Sequence, residues 1–115
     1  MTVKIYHNPR CSKSRQTLAL LQENDIEPEV ILYLETPPSE NELKAVLKKL
    51  GLTARDIIRK SEQIYKDLNL SDQTITEAAL ITAMSANPIL IERPIVINGK
   101  KARLGRPPEA VLEII

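Results

Sequence analysis

Two apolar segments separated by a helix-like segment constrain the fold of this chain most strongly. Val3–Tyr6 has the pattern of a strand, Ser12–Asn24 has leucines at helical spacing, and Glu29–Leu34 is a dense apolar run. A strand, a helix and a second strand in this order form a βαβ unit, in which the two strands are parallel. Because the second run is almost entirely apolar, we expect it to be a buried strand.

The only cysteine of the chain lies at the junction between the first predicted strand and the predicted helix. Cys11 comes immediately before the helix, where backbone N–H groups have no partners and the macrodipole is positive. Arg10, Lys13 and Arg15 add positive charge, and no acidic residue precedes Glu23. Because these surroundings favour a nucleophilic thiolate, the pattern predicts an activated cysteine beside an anion-binding site.

A structural role for Cys11 is the alternative, since a lone cysteine often acts as a small buried hydrophobe. Its immediate neighbours are Arg10 and Ser12, followed by Lys13. Polar and charged sequence neighbours of this kind are unusual for a core residue, so they favour the reactive role.

Composition limits the other functions of the chain. At 115 residues we expect one domain, 1–115. The 16 basic and 15 acidic residues give a net charge of only +1, whereas a nucleic-acid-binding protein would normally have a larger positive excess. No signal-peptide pattern or long apolar run is present, so we expect a cytoplasmic location and no membrane partner. One cysteine and one histidine exclude an internal disulfide and a thiol-ligated zinc site.

The middle of the chain has only helical patterns. A capping box formed by Ser39 and Glu42 opens one helix, and Gly51 closes it. Further helical patterns continue until Asn87-Pro88. The sequence therefore predicts a helical insertion at about residues 39–87, between the second and third strands.

The last quarter of the chain predicts a hairpin followed by a helix. Pro94–Ile97 and Lys101–Leu104 have strand patterns, and Asn98-Gly99 between them is a strong hairpin signal. Pro107 suits the first turn of a final helix, Pro108–Ile115.

The order of these elements predicts a thioredoxin-like α/β fold. It comprises a four-stranded mixed sheet flanked by helices, with the helical insertion between the second and third strands. Cys11 and Ser14 occupy the positions of a C-x-x-C motif. A cis-proline faces the cysteine in this fold, so we predict a cis peptide bond between Arg93 and Pro94.

The chain resembles the glutaredoxin-coupled arsenate reductases of ArsC type. The matching stretches run from the first strand to the last helix and comprise Ile5–Pro9 with Cys11 and Ser14, Ile31–Glu35 with Pro37-Pro38, Ile58–Lys60, Asn87–Val96 and Arg103–Pro107. Ser12-Lys13 stands where these reductases usually have Gly-Thr, and this chain ends at Ile115, whereas they usually extend well past the final helix. Both traits are similar to the shorter YfgD-type branch of the family.

The resemblance implies a reaction and a set of site residues. It implies that arsenate is the substrate, that glutathione is the co-substrate and glutaredoxin the protein partner, and that no cofactor or metal is bound. The implied residues are the nucleophile Cys11, the oxyanion-binding Arg59, Arg93 and Arg106, and His7 and Ser14 as supports of the thiolate. Arginine suits such a site because its planar guanidinium binds two oxygens at once.

The absence of a second cysteine constrains the reaction cycle. No internal thiol can resolve an adduct on Cys11, so an external thiol must form a mixed disulfide that a second redox protein reduces. A monothiol, glutaredoxin-like reductase of glutathione mixed disulfides is one alternative, but the three matched arginines argue against it. An Spx-like protein that binds RNA polymerase is another, but such proteins usually have C-x-x-C, and Ser14 removes that redox switch.

Overall fold

The computed structural model describes residues 2–115, which form two compact units. The sheet unit comprises the described residues up to Thr36 together with Arg93–Ile115. The helical unit comprises Pro37–Glu92 and includes the segment predicted as a helical insertion.

The sheet unit contains four strands in the spatial order β2-β1-β3-β4. These strands are β1 (Val3–Tyr6), β2 (Glu29–Ile31), β3 (Ile95–Asn98) and β4 (Lys101–Leu104). β1 is parallel to β2 and antiparallel to β3, and β3 is antiparallel to β4. The predicted βαβ unit and the predicted hairpin together give this mixed sheet, which confirms the fold class.

The core of the sheet unit lies between the sheet and two helical segments. α1 (Ser12–Glu23) packs against a C-terminal 3-10 helix (Pro108–Ile114), which lies within the predicted final helix Pro108–Ile115. Ile5 of β1 is opposite Val96 of β3, so their side chains share one face of the sheet. The buried cluster on this face consists of Ile5, Leu21, Val96, Val111 and Ile114.

The prediction of a buried strand over Glu29–Leu34 was wrong in both length and burial. β2 ends at Ile31 and is an edge strand, and Val30 and Leu34 are 43% and 41% exposed. The chain turns immediately afterwards, with the Thr36 N–H donating to the Leu32 carbonyl at 2.9 Å. Apolar side chains of this run are therefore exposed at the edge of the sheet, although Tyr33 within it is buried.

The hairpin turn lies one residue later than predicted. Asn98 still pairs with Lys101, and Gly99 and Lys100 form the turn. Gly99 has a φ of 62°, a left-handed conformation that glycine adopts without steric cost.

The helical unit is built around α5 (Glu77–Ala86), which packs against α2 (Glu40–Leu50) and α3 (Ala54–Ile57). α4 (Gln63–Asp67) and a 3-10 helix (Pro88–Leu90) complete it. The predicted capping box of Ser39 and Glu42 is present, and Gly51 ends α2 with a φ of 70°. The buried residues of α2 and α5 are Leu43, Val46, Leu47, Leu80, Ile81 and Met84.

The helices are short. α1 has 12 residues, and no helix between residues 2 and 115 has the length and apolar character needed to cross a membrane.

Candidate active site

Cys11 is the N-cap residue of α1. Its backbone is extended (φ −93°, ψ 123°), while its carbonyl already accepts the first helical hydrogen bond from the Arg15 N–H at 3.0 Å. The first turn of α1 contains no acidic residue. The partial positive charge of this helix end is therefore not offset by a carboxylate, and it favours a negative charge on the Cys11 sulfur.

Asn8 organises the loop between β1 and α1. Its carbonyl accepts from the Cys11 N–H, and its side-chain Oδ1 accepts from the Arg10 N–H, both at 3.0 Å. Its own N–H donates to the Ser14 Oγ at 3.0 Å. Sequence reasoning did not single out Asn8, although Asn-Pro is a known turn signal whose side chain bonds nearby backbone.

Arg106 approaches the cysteine from the turn after β4. Its Nη2 lies 3.6 Å from the Cys11 Sγ, and its Nε donates to the Arg93 carbonyl at 2.8 Å. The adjacent Gly105 N–H donates to the Pro94 carbonyl at 2.9 Å. These bonds hold the turn after β4 against the residues that precede β3, beside the N-terminus of α1.

Both site arginines of the sheet unit precede a cis-proline. The Arg93–Pro94 peptide bond is cis, as the sequence predicts. The Arg106–Pro107 bond is also cis, which the sequence analysis did not predict.

The surroundings of Cys11 lower the pKa of its thiol. Burial alone would raise that pKa, but the backbone N–H of Ser14, the side chain and charge of Arg93, and the backbone N–H of Lys13 together outweigh it. Cys11 is 8% exposed. The lowered pKa favours the thiolate form, which is the nucleophilic form of cysteine.

His7 and Ser14 lie next to each other, as buried partners in one hydrogen bond. The His7 Nδ1 is 2.7 Å from the Ser14 Oγ. Burial, and then the charge of Arg15, lower the pKa of His7, so its ring is neutral near neutral pH. The Ser14 Oγ also accepts from the Asn8 N–H, so the contacts of this predicted support of the thiolate are with His7 and Asn8. Ser14 acts on the Cys11 pKa through its backbone N–H.

Arg59, the third predicted oxyanion ligand, belongs to the helical unit. Its Nε contacts the Glu62 Oε2 at 3.1 Å, and its Nη1 contacts the Glu92 Oε1 at 2.8 Å. Burial alone would lower the pKa of Arg59, but its bonds with these two carboxylates raise it. The ion pairs define a structural role for Arg59, and its role in anion binding stays a prediction.

No group of three or more histidine, cysteine or acidic side chains within residues 2–115 is arranged to hold a metal ion.

The family of the chain follows from comparison with known proteins. A family model described as the ArsC family matches residues 6–114, which include every site residue named above. The chain belongs to the ArsC family. Within this family it is 61% identical to the Escherichia coli (strain K12) protein YfgD over 114 residues, which cover 98% of this chain and 96% of YfgD.

Two arsenate reductases extend the likeness of this ArsC protein over its whole length. It is 53% identical over 116 residues to an arsenate reductase of Haemophilus influenzae, with 100% of both chains covered. A solved structure of an arsenate reductase from Vibrio cholerae matches with a TM-score of 0.97 and 56% identity, covering 100% of this chain and 98% of that chain. The predicted membership of the ArsC family is confirmed.

Proposed function

We propose that this ArsC protein is a thiol oxidoreductase that reduces arsenate to arsenite with Cys11 as the nucleophile. The observation that carries the proposal is the Cys11 sulfur at the N-terminus of α1, with its pKa lowered and the Arg106 guanidinium 3.6 Å away. The family relationship to proteins named arsenate reductase supports the choice of substrate.

The first need of this reaction is to bring two anions together. Arsenate is a negatively charged tetrahedron, so a thiolate that attacks it meets electrostatic repulsion. Arg93 and Arg106 reduce this repulsion, because both act on the sulfur and both present guanidinium groups suited to oxyanions. Preorganised positive charge also stabilises the charge that moves on to the departing oxygen. The family resemblance adds Arg59 as a third proposed ligand.

The chemistry then proceeds in two electron-balanced stages. The Cys11 thiolate forms a bond to arsenic(V), and one arsenate oxygen leaves as water after protonation. An external thiolate next attacks the Cys11 sulfur, and the sulfur–arsenic bond breaks with its electron pair remaining on arsenic. Arsenic(V) becomes arsenic(III), and the two sulfurs are oxidised to a mixed disulfide.

Glutathione is the proposed external thiol, and glutaredoxin the proposed protein that regenerates Cys11. Cys11 is the only cysteine of the chain, so the mixed disulfide has no internal partner. A glutaredoxin thiol attacks the glutathione sulfur and releases the Cys11 thiolate for another cycle.

An arsenate-dependent NADPH-oxidation assay tests this function. The assay contains glutathione, glutaredoxin and glutathione reductase, and it compares the parent with Cys11→Ser. We expect turnover in the parent and none above the protein-free rate in the variant. A glutathionylated peptide as the alternative substrate provides the second arm. Turnover of that peptide without turnover of arsenate would contradict the proposal in favour of a monothiol reductase.

A further inference from the structure

We propose that Gly105 is a positioning residue whose missing side chain sets the approach of Arg106 to Cys11. Gly105 is buried and connects β4 to Arg106. A Cβ at this position would lie 2.5 Å from the Thr17 Oγ1 and 2.6 Å from the Pro94 Cγ. Since real Cβ atoms essentially never approach within 3.0 Å of another heavy atom, any side chain at position 105 must displace a neighbour.

Neither neighbour can move aside easily. Thr17 is fully buried on α1, and its Oγ1 donates to the Lys13 carbonyl at 2.8 Å. A swing of this β-branched side chain would break that bond and leave its Cγ2 or Oγ1 in the same crowded space. Pro94 has a closed ring, and its carbonyl accepts from the Gly105 N–H at 2.9 Å.

The requirement at this position is for space, because no left-handed backbone conformation is involved. The glycines with positive φ in the described chain are Gly51 and Gly99. An alanine at position 105 therefore has an acceptable backbone, and its whole effect comes from the contacts of one methyl group with Thr17 and Pro94.

The displacement would act directly on the cysteine's surroundings. Arg106 follows Gly105 in the chain and holds the Arg93 carbonyl at 2.8 Å and the Cys11 Sγ at 3.6 Å. If the turn after β4 moved away from α1, the distance between the Arg106 Nη2 and the Cys11 Sγ would increase beyond 3.6 Å. The close approach of Gly105 to Thr17 thus brings Arg106 within reach of the thiolate.

The test measures the rate of Cys11 alkylation by iodoacetamide as a function of pH in the parent and in Gly105→Ala. We expect the midpoint of the variant to move to higher pH. The ratio of its alkylation rate near neutral pH to its rate at high pH should be severalfold lower than the same ratio in the parent. The readout needs no arsenate and no reductant. The alkylation result therefore tests this inference separately from the proposed reaction. Only an effect of Gly105→Ala on the rate of arsenate reduction would depend on the proposed function.

Thr17→Ala provides the rescue, because it removes Oγ1 and Cγ2 of Thr17, two of the three atoms nearest to a Cβ at position 105, and leaves the Pro94 contact in place. We expect the midpoint of the double variant Thr17→Ala/Gly105→Ala to lie at higher pH than that of Thr17→Ala. This shift should be smaller than the shift of Gly105→Ala relative to the parent.

Gly51→Ala is the control for general destabilisation. Gly51 has a φ of 70° with open space around it, so this variant strains the backbone of the helical unit. Its alkylation profile should match that of the parent.

The inference is overturned if folded Gly105→Ala has the profile of the parent, or if Gly51→Ala shifts the profile as much. A shift in the double variant as large as that of Gly105→Ala would also overturn it. If Gly105→Ala does not fold, the double variant is compared with Thr17→Ala instead. An alkylation profile of the double variant identical to that of Thr17→Ala would contradict the inference.

Discussion

Arg106 follows Cys11 by 95 positions in the sequence, yet its Nη2 lies 3.6 Å from the Cys11 Sγ. The contact joins the turn after β4 to the N-cap of α1, two places that local sequence does not connect. The same guanidinium holds the Arg93 carbonyl through its Nε. Arg106 therefore links the cysteine to the residues before β3, and its loss should affect the thiolate and, in the proposed reaction, the binding of arsenate.

Arg106→Gln should slow arsenate reduction by roughly 10²–10³-fold, as the loss of one preorganised donor to a developing anion does in other enzymes. The variant should also raise the pKa of the Cys11 thiol, because a positive charge next to the sulfur is removed. Steady-state rates and the pH dependence of alkylation measure the two effects.

Arg103→Gln is the matched control for this substitution. Arg103 lies on β4, and its Nε pairs with the Glu113 Oε2 at 3.1 Å in an exposed ion pair. Because exposed pairs of this kind contribute little, activity and thiol pKa should stay near those of the parent. Equal losses in the two variants would show that general charge, and not the position of Arg106, matters.

The lowered thiol pKa should make the stability of the protein depend on pH. The unfolded chain keeps its Cys11 proton up to a pKa of about 8.5, whereas the folded protein loses it at lower pH. Between the two values the unfolded state binds more protons, so stability rises with pH. The free energy of unfolding of the parent minus that of Cys11→Ser should increase across this window and level off above it. A difference that is constant or falls with rising pH would contradict the thiolate assignment.

His7 should contribute a second pH dependence with the same sign. Its pKa is lowered, first by burial and then by Arg15, so the unfolded state takes up a proton more readily as the pH falls below about 6.5. His7→Asn does not titrate there and retains a polar partner for Ser14. In urea unfolding, the parent should lose more free energy between about pH 7.5 and about pH 5 than His7→Asn does. Equal losses would show that His7 does not titrate differently in the two states.

Arg59 has a structural role in its ion pairs and an implied role in anion binding, and two variants separate them. Arg59→Gln removes the pairs with Glu62 and Glu92 and should cost about 1.5–3 kcal/mol of unfolding free energy. If the family-implied role is correct, it should also raise the KM for arsenate.

Glu62→Gln removes one of these ion pairs and leaves the guanidinium in place. It should destabilise the fold less than Arg59→Gln and leave the KM for arsenate unchanged. A KM that is unchanged in Arg59→Gln as well would restrict Arg59 to its structural role.

The sheet could be predicted because each of its parts rests on a local pattern. β1, the helix after it and the Asn98-Gly99 hairpin are all visible in short windows of sequence. The turn shifted by one residue because both Asn98 and Gly99 tolerate turn conformations, and only the pairing with Lys101 decides between them. The apolar run after Glu29 gave a wrong prediction of a buried strand, since apolar character does not distinguish an edge strand from a central one.

The site residues could be predicted where the residue type itself indicates the chemistry. The contacts between them could not be predicted, because they depend on distances in the folded protein. A lone cysteine before a helix indicates a thiolate, and the family resemblance supplied Arg93 and Arg106. The hydrogen bond of the Ser14 hydroxyl to His7 and the close approach of Gly105 to Thr17 depend on tertiary contacts. No spacing along the sequence encodes these contacts, so they could be found only in the structure.

The most direct measurement is the rate of Cys11 alkylation as a function of pH, with and without arsenate. We predict a midpoint below the ordinary thiol pKa of about 8.5 and a saturable slowing of alkylation by arsenate, with weaker protection in Arg106→Gln. An ordinary midpoint together with no protection by arsenate would contradict the central claim that a cationic site holds a Cys11 thiolate beside an oxyanion.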